Sequence, residues 1–157
     1  MTIRLLTIGK TDSKQLKELI SVYEKRLLHY IKFAFDIIPD IKNSKNLSKE
    51  QQKEKEGELI LKKVTSSDFL IILDENGTQF SSVAFSNLLQ KRMNSGVKNL
   101  IFVVGGPYGF SPEVYSRANS KISLSKMTFS HQMVRLFVVE QIYRGFTILK
   151  NEPYHHE

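Results

Sequence analysis

The sequence predicts an α/β protein in which helices cover both faces of a mostly parallel sheet, giving a three-layer sandwich. Short runs rich in aliphatic and β-branched residues alternate with longer stretches whose apolar residues recur at helical spacing. Two of the short runs, Phe69 to Leu73 and Leu100 to Val104, are apolar at every position, which is typical of parallel strands that are buried on both faces. This alternation favours one domain over residues 1–157.

The first third of the chain predicts strand, helix, strand. Thr2 to Ile8 reads TIRLLTI and predicts the first strand. Asp12 is a suitable cap for an amphipathic helix that continues to about Tyr30. Phe33 to Ile38 predicts the second strand, which Pro39 ends.

The middle of the chain adds two helices around the first buried strand. Ser48, followed three residues later by a glutamine, forms a capping box for a helix that reaches Lys63. The first half of that helix is almost wholly polar, so we expect it to face water or a partner. A second helix begins at Ser81 or Ser82, after the strand that ends at Leu73, and stops before Gly96.

The last third predicts a short helix, a strand and a long helix. Ser111 to Glu113 supplies an N-cap, a proline at the first helical position and an acid in the first turn. Lys121 to Thr128 predicts the last strand, and the final helix runs from about Ser130 to Leu149. This final helix is apolar almost all round, which requires cover on both sides. We expect the sheet to cover one side and a second subunit the other.

Composition narrows the possible functions. The formal net charge is +7, which favours a polyanionic partner such as nucleic acid. The absence of cysteine excludes a disulfide scaffold, a thiolate zinc site and a thiol nucleophile. The apolar runs are too short to span a membrane, and the chain does not open on a signal-peptide pattern. The default expectation is therefore a cytoplasmic protein without membrane contact.

Three loops are candidates for a ligand site, because ligands of open α/β sheets bind at the carboxyl ends of the strands. They follow Leu73, Val104 and Leu124. The second is rich in glycine, with Gly105, Gly106 and Gly109, so a ligand could approach its backbone closely; a plain turn is the alternative. The spacing of these three glycines does not fit a dinucleotide fingerprint. Gly9-Lys10-Thr11 does not fit a P-loop, because Arg4 stands where the first glycine is needed, and it is too poor a phosphate turn for a flavodoxin-like nucleotide-binding protein.

The histidines and arginines near the C-terminus do not suggest a metal site. His155 and His156 are adjacent, so their side chains diverge, and the chain lacks the helical spacing of a zinc site. Arg135 and Arg144 lie nine residues apart on the final helix and face opposite ways. Arg144 is expected to form an ion pair with Glu140 one turn earlier.

Eight segments spread over the whole chain resemble one known family. They are LTIGK, VYEKR, KEKEGE, LDENG, FVVGGPYG, ISLSKMTFSHQMVR, EQIYRGF and PYHHE. The chain is similar to the RlmH (formerly YbeA) family of small SPOUT-superfamily methyltransferases. The resemblance implies a homodimer with a deep C-terminal trefoil knot. It also implies transfer of a methyl group from S-adenosylmethionine, without a metal, to N3 of a pseudouridine in 23S ribosomal RNA.

The resemblance also implies roles for individual residues. The residues expected to hold the cofactor are Leu73, Gly105, Leu124, Ser125, Lys126, Met127, Thr128 and Phe129. The residues expected to act on the target base are His155, Arg144 and Tyr154, and those expected to position RNA are His131, Arg135 and His156. The chain departs from the family at Tyr108, where Glu or Asn is frequent, and at Ser130, where Pro is frequent.

Two points stay open at the level of sequence. His155 could act as the base that removes the imide proton or only as a hydrogen-bonding group. The substrate site could combine the cofactor of one subunit with the tail of the other, on a target set by the assembled ribosome. The alternative function is a non-catalytic ribosome-binding assembly or silencing factor that uses the basic surface and needs no cofactor.

Overall fold

The fold is built on one fully parallel sheet. A computed structural model describes residues 1–156, and its strands are β1 (Thr2–Ile8), β2 (Lys32–Ile38), β3 (Phe69–Gln79), β4 (Asn99–Val104) and β5 (Ser120–Ser123). They are ordered β2-β1-β4-β3-β5, and every pair of neighbours runs parallel. The predicted parallel sheet is thus confirmed, with β1, β4 and β3 at its centre.

Five helices cover the two faces of the sheet. They are α1 (Lys14–Leu27), α2 (Lys49–Leu61), α3 (Ser82–Asn94), α4 (Pro112–Arg117) and α5 (His131–Leu149), with a short 3-10 turn at Ser44–Asn46. The helices α1, α3 and α5 pack together on one face, and α2 and α4 pack on the other. The predicted three-layer sandwich is confirmed. None of the helices in residues 1–156 is long and apolar enough to cross a membrane.

The central strands are buried on both faces. Along β3, Leu70 and Ile72 join the apolar cluster beneath α2 and α4, whereas Ile71 joins the cluster beneath α1, α3 and α5. All three side chains are fully buried. This two-sided burial explains why the run carries no polar residue, since successive side chains of a strand point to opposite faces.

Serine caps set the starts of the helices. The capping box at Ser48 is present, with both reciprocal bonds to Gln51. The prediction that Asp12 caps α1 is wrong by one residue, because the Ser13 hydroxyl accepts the bond from Leu16 N–H. The backbone N–H of Asp12 instead donates to a side chain of α5, Gln132, at 3.0 Å.

Two strands, β3 and β5, differ in length from their predictions. β3 continues to Gln79 through a bulge, because its register against β5 shifts between Leu73 and Thr78. β5 ends at Ser123 rather than at Thr128. The chain turns there, since the Met127 N–H donates to the Ser125 hydroxyl at 2.9 Å, a local bond that competes with strand pairing. Residues 124–130 are therefore a loop, and the knot expected around it stays a prediction.

Candidate functional site

Three segments meet around one crevice: the bulge within β3 and the loops that follow β4 and β5. Its volume is about 520 Å³, and it lies at the carboxyl edge of the sheet, where ligands of such folds bind. Its walls are the bulge loop (residues 74–77), the glycine loop (residues 105–109) and the loop 124–130, with His131 and Val134 from the start of α5. The three segments that the sequence singled out therefore lie together, and their binding of a ligand stays a prediction.

The glycine loop packs closely against neighbouring residues, and its glycines carry no side chain that would cover the backbone. A side chain on Gly105 would come within 3.0 Å of the Phe110 ring, and one on Gly106 within 2.4 Å of a Glu56 carboxylate oxygen. Gly109 has a φ of +83°, a conformation that glycine adopts at little cost, and its N–H donates to Gly106 O at 3.3 Å. The segment is thus both a turn and a wall of the crevice.

Glu56 is the carboxylate behind the glycine loop. Its side chain is buried, with 3% of its surface exposed, and its Oε1 accepts a bond from Gln52 at 2.8 Å. Its Oε2 finds no hydrogen-bond partner within residues 1–156. Burial raises the pKa of this carboxyl group, the Gln52 bond opposes that rise, and the charge of Asp40 adds to it. Glu56 therefore supports the loop at an electrostatic cost.

The bulge loop gives the crevice an acidic wall. Asp74 accepts bonds from the backbone N–H of Asn76, at 2.8 Å, and from the Tyr115 hydroxyl. Burial and the bond to Asp74 raise the pKa of Tyr115 to about 12, so this hydroxyl keeps its proton at neutral pH. Glu75 lies exposed beside them on the same wall. Two carboxylates at one wall suit a ligand with positive charge.

A second group of polar side chains lies at the end of α5, and we call it the tail cluster (Glu140, Arg144, Tyr154 and His155). Arg144 donates to Glu140 Oε1 from Nη2 at 2.6 Å and from Nε at 3.0 Å, so the expected ion pair is present. The Tyr154 hydroxyl donates to the same oxygen at 3.0 Å. Arg144 also lies over the Tyr154 ring at 4.7 Å, and its Nη1 is 3.4 Å from His155 Nδ1.

Two groups of the tail cluster, Arg144 and Tyr154, have raised pKa values. Burial, together with the bonds to Tyr23 and Glu140, raises the pKa of Tyr154. The bond to Glu140 raises the pKa of Arg144. Arg144 thus remains a cation and Tyr154 a neutral donor throughout the neutral range. Within residues 1–156, His, Asp and Glu side chains do not form any group of three that could hold a metal ion.

The tail cluster and the crevice of the same chain lie apart. None of the four cluster residues is among those that line the crevice. His131, which does line it, begins α5, and Arg144 follows thirteen residues later on the same helix, about 20 Å along the helix axis at 1.5 Å per residue. A single chain therefore does not bring its predicted catalytic groups to its own predicted cofactor residues.

Arg135 does not lie where the sequence suggested. It is fully buried, and its guanidinium donates to Ile8 O at 2.7 Å, to Gly9 O at 3.0 Å and to the Thr11 hydroxyl at 3.1 Å. The predicted contact with RNA is therefore wrong, because the side chain is enclosed and its donors are occupied. Arg135 instead ties α5 to the end of β1.

The comparison with known families agrees with this architecture. A family model described as "Predicted SPOUT methyltransferase" matches residues 1–155. The chain belongs to the SPOUT methyltransferase family. Three curated relatives of this methyltransferase carry the name "Ribosomal RNA large subunit methyltransferase H". The proteins from Christiangramia forsetii, Flavobacterium psychrophilum and Flavobacterium johnsoniae are 71%, 70% and 69% identical to it. The matches cover 99% of both chains for the first and 100% of both chains for the other two.

Most of the residues predicted to hold the cofactor of this SPOUT methyltransferase line the crevice. They are Leu73, Gly105, Leu124, Ser125, Met127, Thr128 and Phe129. Lys126 belongs to the same loop but is exposed and is not among the lining residues. His131, predicted to position RNA, lies at the crevice, whereas His156 lies exposed at the tail.

Other lining residues of the methyltransferase crevice were not predicted to be site residues from the sequence. Asp74 and Glu75 follow the apolar run of β3 directly, so their place after a buried strand was a usable signal. Tyr115 lies on α4, ten residues beyond the start of the glycine loop. Its contribution depends on how α4 folds back, which no local pattern indicates.

Proposed function

We propose that the chain is an S-adenosylmethionine-dependent methyltransferase that modifies N3 of a pseudouridine in the large-subunit RNA of the assembled ribosome. The crevice is the main support for this proposal. It lies at the carboxyl edge of the sheet, and its glycine loop leaves main-chain atoms accessible to a ligand. The chain also belongs to a methyltransferase family. The near-full-length similarity to large-subunit RNA methyltransferases supports ribosomal RNA as the substrate class. The pseudouridine, its N3 atom and the assembled ribosome follow from the family resemblance.

The residues of the crevice fit S-adenosylmethionine. A volume of about 520 Å³ lies within the usual range of small-molecule sites. The bare glycine loop leaves main-chain groups for an adenine ring, and Leu73 and Leu124 add apolar surface. Asp74 and Glu75 place negative charge where a sulfonium would benefit from it. When bound, the cofactor supplies the methyl group and leaves as S-adenosylhomocysteine.

The tail cluster supplies groups that can assist the loss of a proton from the RNA base. N3 of pseudouridine carries an imide proton, so nitrogen becomes a nucleophile only as that proton leaves. Arg144 remains a cation and stabilises the negative charge that develops on the imide. Glu140 fixes the guanidinium, and Tyr154 is a neutral hydrogen-bond donor beside it. His155 contacts the base, either as the proton acceptor or as a hydrogen-bonding partner.

A homodimer brings the two parts together. The tail cluster lies about 20 Å along α5 from His131, so in this proposal the cluster of one subunit completes the crevice of the other. Phe129 and Met133, at the crevice end of α5, are exposed by 37% and 36%, which leaves apolar surface for a partner to cover. We propose that residues 1–157 act as one domain, that the dimer is the active form, and that it works in the cytoplasm.

Two measurements test the proposal together. Calorimetry with S-adenosylmethionine tests the crevice, and mass spectrometry of nucleosides tests the product, using ribosomes from a strain that lacks the enzyme. We expect binding, and we expect a methylated pseudouridine only when both enzyme and cofactor are added. Ribosome binding without cofactor binding would support the non-catalytic assembly factor instead.

One substitution separates the two parts of the site. His155→Ala removes a group of the tail cluster and leaves every residue that lines the crevice in place. We expect methylation to fall at least tenfold, as is usual when a positioned acid–base group is lost, while cofactor affinity stays unchanged. Full turnover of this variant would remove His155 from the mechanism.

A further inference from the structure

Two exposed tyrosines line the crevice, and the ring of neither has a role in the chemistry above. Tyr108 and Tyr115 both line the crevice, and they expose 44% and 40% of their surfaces. We propose that these two rings, each with a lysine beside it, form a docking platform for the single-stranded RNA that flanks the target nucleoside. The inference depends on the proposed function, because it takes the crevice as the place where the nucleoside is methylated.

Each ring is paired with a lysine from a different element. Lys49 Nζ, at the start of α2, lies 5.6 Å from the centre of the Tyr108 ring. Lys121 Nζ, on β5, lies 5.7 Å from the centre of the Tyr115 ring. Both lysines are exposed. Aromatic rings that stack bases, combined with cations that meet phosphates, are the usual components of single-strand RNA binding.

The Tyr115 ring is held in place before any RNA arrives. Its hydroxyl donates to Asp74, and its ring meets the Phe110 ring edge to face, with centroids 6.0 Å apart and planes at 82°. Tyr108 lies between Pro107 and Gly109 in the glycine loop, which itself is packed against Phe110 and Glu56. Fixed rings stack a base without a large loss of side-chain entropy.

The charges around the crevice determine where the phosphates and the bases of the RNA lie. Asp74 and Glu75 on the bulge-loop wall repel phosphate, whereas Lys49 and Lys121 attract it beside the rings. The phosphates therefore run along the outer rim, and the bases turn inward onto the two tyrosines. A nucleoside that enters the crevice must stop stacking on the bases beside it. Those neighbouring bases can then stack on the two tyrosine rings.

The double variant Tyr108→Ala/Tyr115→Ala tests the stacking role. We measure KM and kcat for methylation of unmodified ribosomes, sedimentation of the enzyme with those ribosomes, and calorimetric affinity for S-adenosylmethionine. Because stacking of bases on aromatic rings contributes to single-strand affinity, we expect ribosome affinity to fall at least tenfold. We expect kcat to stay within twofold of the wild type, and cofactor affinity to match that of Tyr108→Phe/Tyr115→Phe, which loses the same bond to Asp74. Tyr108→Phe/Tyr115→Phe keeps both rings and should bind ribosomes nearly as the wild type does.

The lysine pair has its own test with a matched control. Lys49→Ala/Lys121→Ala should flatten the dependence of log affinity on log salt by roughly 1.4, at about 0.7 for each lost phosphate contact on a single strand. The control is Lys32→Ala/Lys98→Ala, which removes the same charge at the opposite, amino edge of the sheet. The control should leave the slope unchanged.

Each outcome decides between the possibilities. If the tyrosine-to-alanine variant binds S-adenosylmethionine more weakly but binds ribosomes normally, the rings belong to the cofactor site and the platform is wrong. If that variant binds both normally, the platform is also wrong. Equal slopes for the two lysine pairs would also overturn it. A wild-type protein that sediments with ribosomes but neither binds S-adenosylmethionine nor methylates would instead reject the proposed function.

Discussion

Arg135 shows how one buried cation can join distant parts of a chain. Its donors meet two backbone carbonyls and a hydroxyl at the end of β1, all more than a hundred residues away in sequence. The helical pattern placed Arg135 on the final helix, facing away from Arg144. It could not indicate the partner, because the partner is formed by main-chain carbonyls that carry no sequence signature.

Removing this cation should destabilise the fold. Arg135→Met leaves buried acceptors without donors, at about 1–3 kcal/mol for each, so we expect the free energy of unfolding in urea to fall by roughly 3 kcal/mol. Arg144→Met is the matched control, since that side chain is partly exposed and should cost about 1 kcal/mol or less. Equal losses for the two variants would contradict the role assigned to Arg135.

Glu56 predicts a dependence of stability on pH. Burial raises the pKa of its carboxyl group above the ordinary value of a glutamate. The unfolded chain then loses this proton at lower pH than the folded chain, so the group lowers stability as pH rises through this range. The penalty is about 1.4 kcal/mol for each unit by which the pKa is raised.

The variant Glu56→Gln removes that penalty and keeps an oxygen for Gln52. We expect it to match the wild type near pH 4 and to be the more stable of the two near pH 8, as measured by urea unfolding across the pH range. Glu54→Gln, an exposed position on the same helix, should show no such divergence. A stability difference that does not change with pH would mean that the carboxyl group is not perturbed.

At the scale of elements, most strands and caps followed the sequence, whereas the cap of α1, the bulge in β3 and the end of β5 did not. Serine caps and continuous apolar runs are local signals, which is why β1 and the capping box at Ser48 could be predicted. The alternation Ile122-Ser-Leu-Ser resembles a strand and led to a strand prediction through Thr128, but a side-chain turn at Ser125 ends the strand early. The bulge in β3 depends on Gly77, whose partner on β5 lies far along the chain.

Gly77→Ala tests how far that bulge controls the crevice. An added Cβ would lie 2.5 Å from the Ile122 carbonyl carbon and 2.7 Å from the Ser123 nitrogen, so the bulge loop must move. We expect affinity for S-adenosylmethionine, measured by calorimetry, to fall at least tenfold, because Asp74 and Glu75 move with it.

Gly96→Ala provides the control for that test. Among residues 1–156, no atom other than those of its chain neighbours lies within 4 Å of its Cβ position, although its φ of +74° disfavours alanine. It should therefore cost about 1–2 kcal/mol of stability without changing cofactor affinity. If Gly77→Ala binds S-adenosylmethionine as tightly as the wild type does, the bulge does not control the cofactor site.

For the whole molecule, the sequence allowed the layers and the crevice to be predicted, but not how the site is completed. The crevice could be predicted because parallel strands end at one edge, so loops after Leu73, Val104 and Leu124 had to meet. The separation of the tail cluster from the crevice follows from the length of α5 and its path across the sheet. That separation is the reason for assigning the cluster to the partner subunit's crevice.

The central claim is that the crevice of one subunit and the tail cluster of the other form each active site. The most direct test is a purified heterodimer of differently tagged chains, one carrying Arg144→Ala and the other Gly105→Val, a change that would crowd Phe110 in the glycine loop. Calorimetry should find one cofactor per heterodimer, which also verifies that the intact crevice is folded. We predict about half of the wild-type methylation rate, because one pairing retains both intact parts, whereas each parent homodimer is inactive. A heterodimer no more active than its parents would place both parts of the site in the same chain and contradict the account.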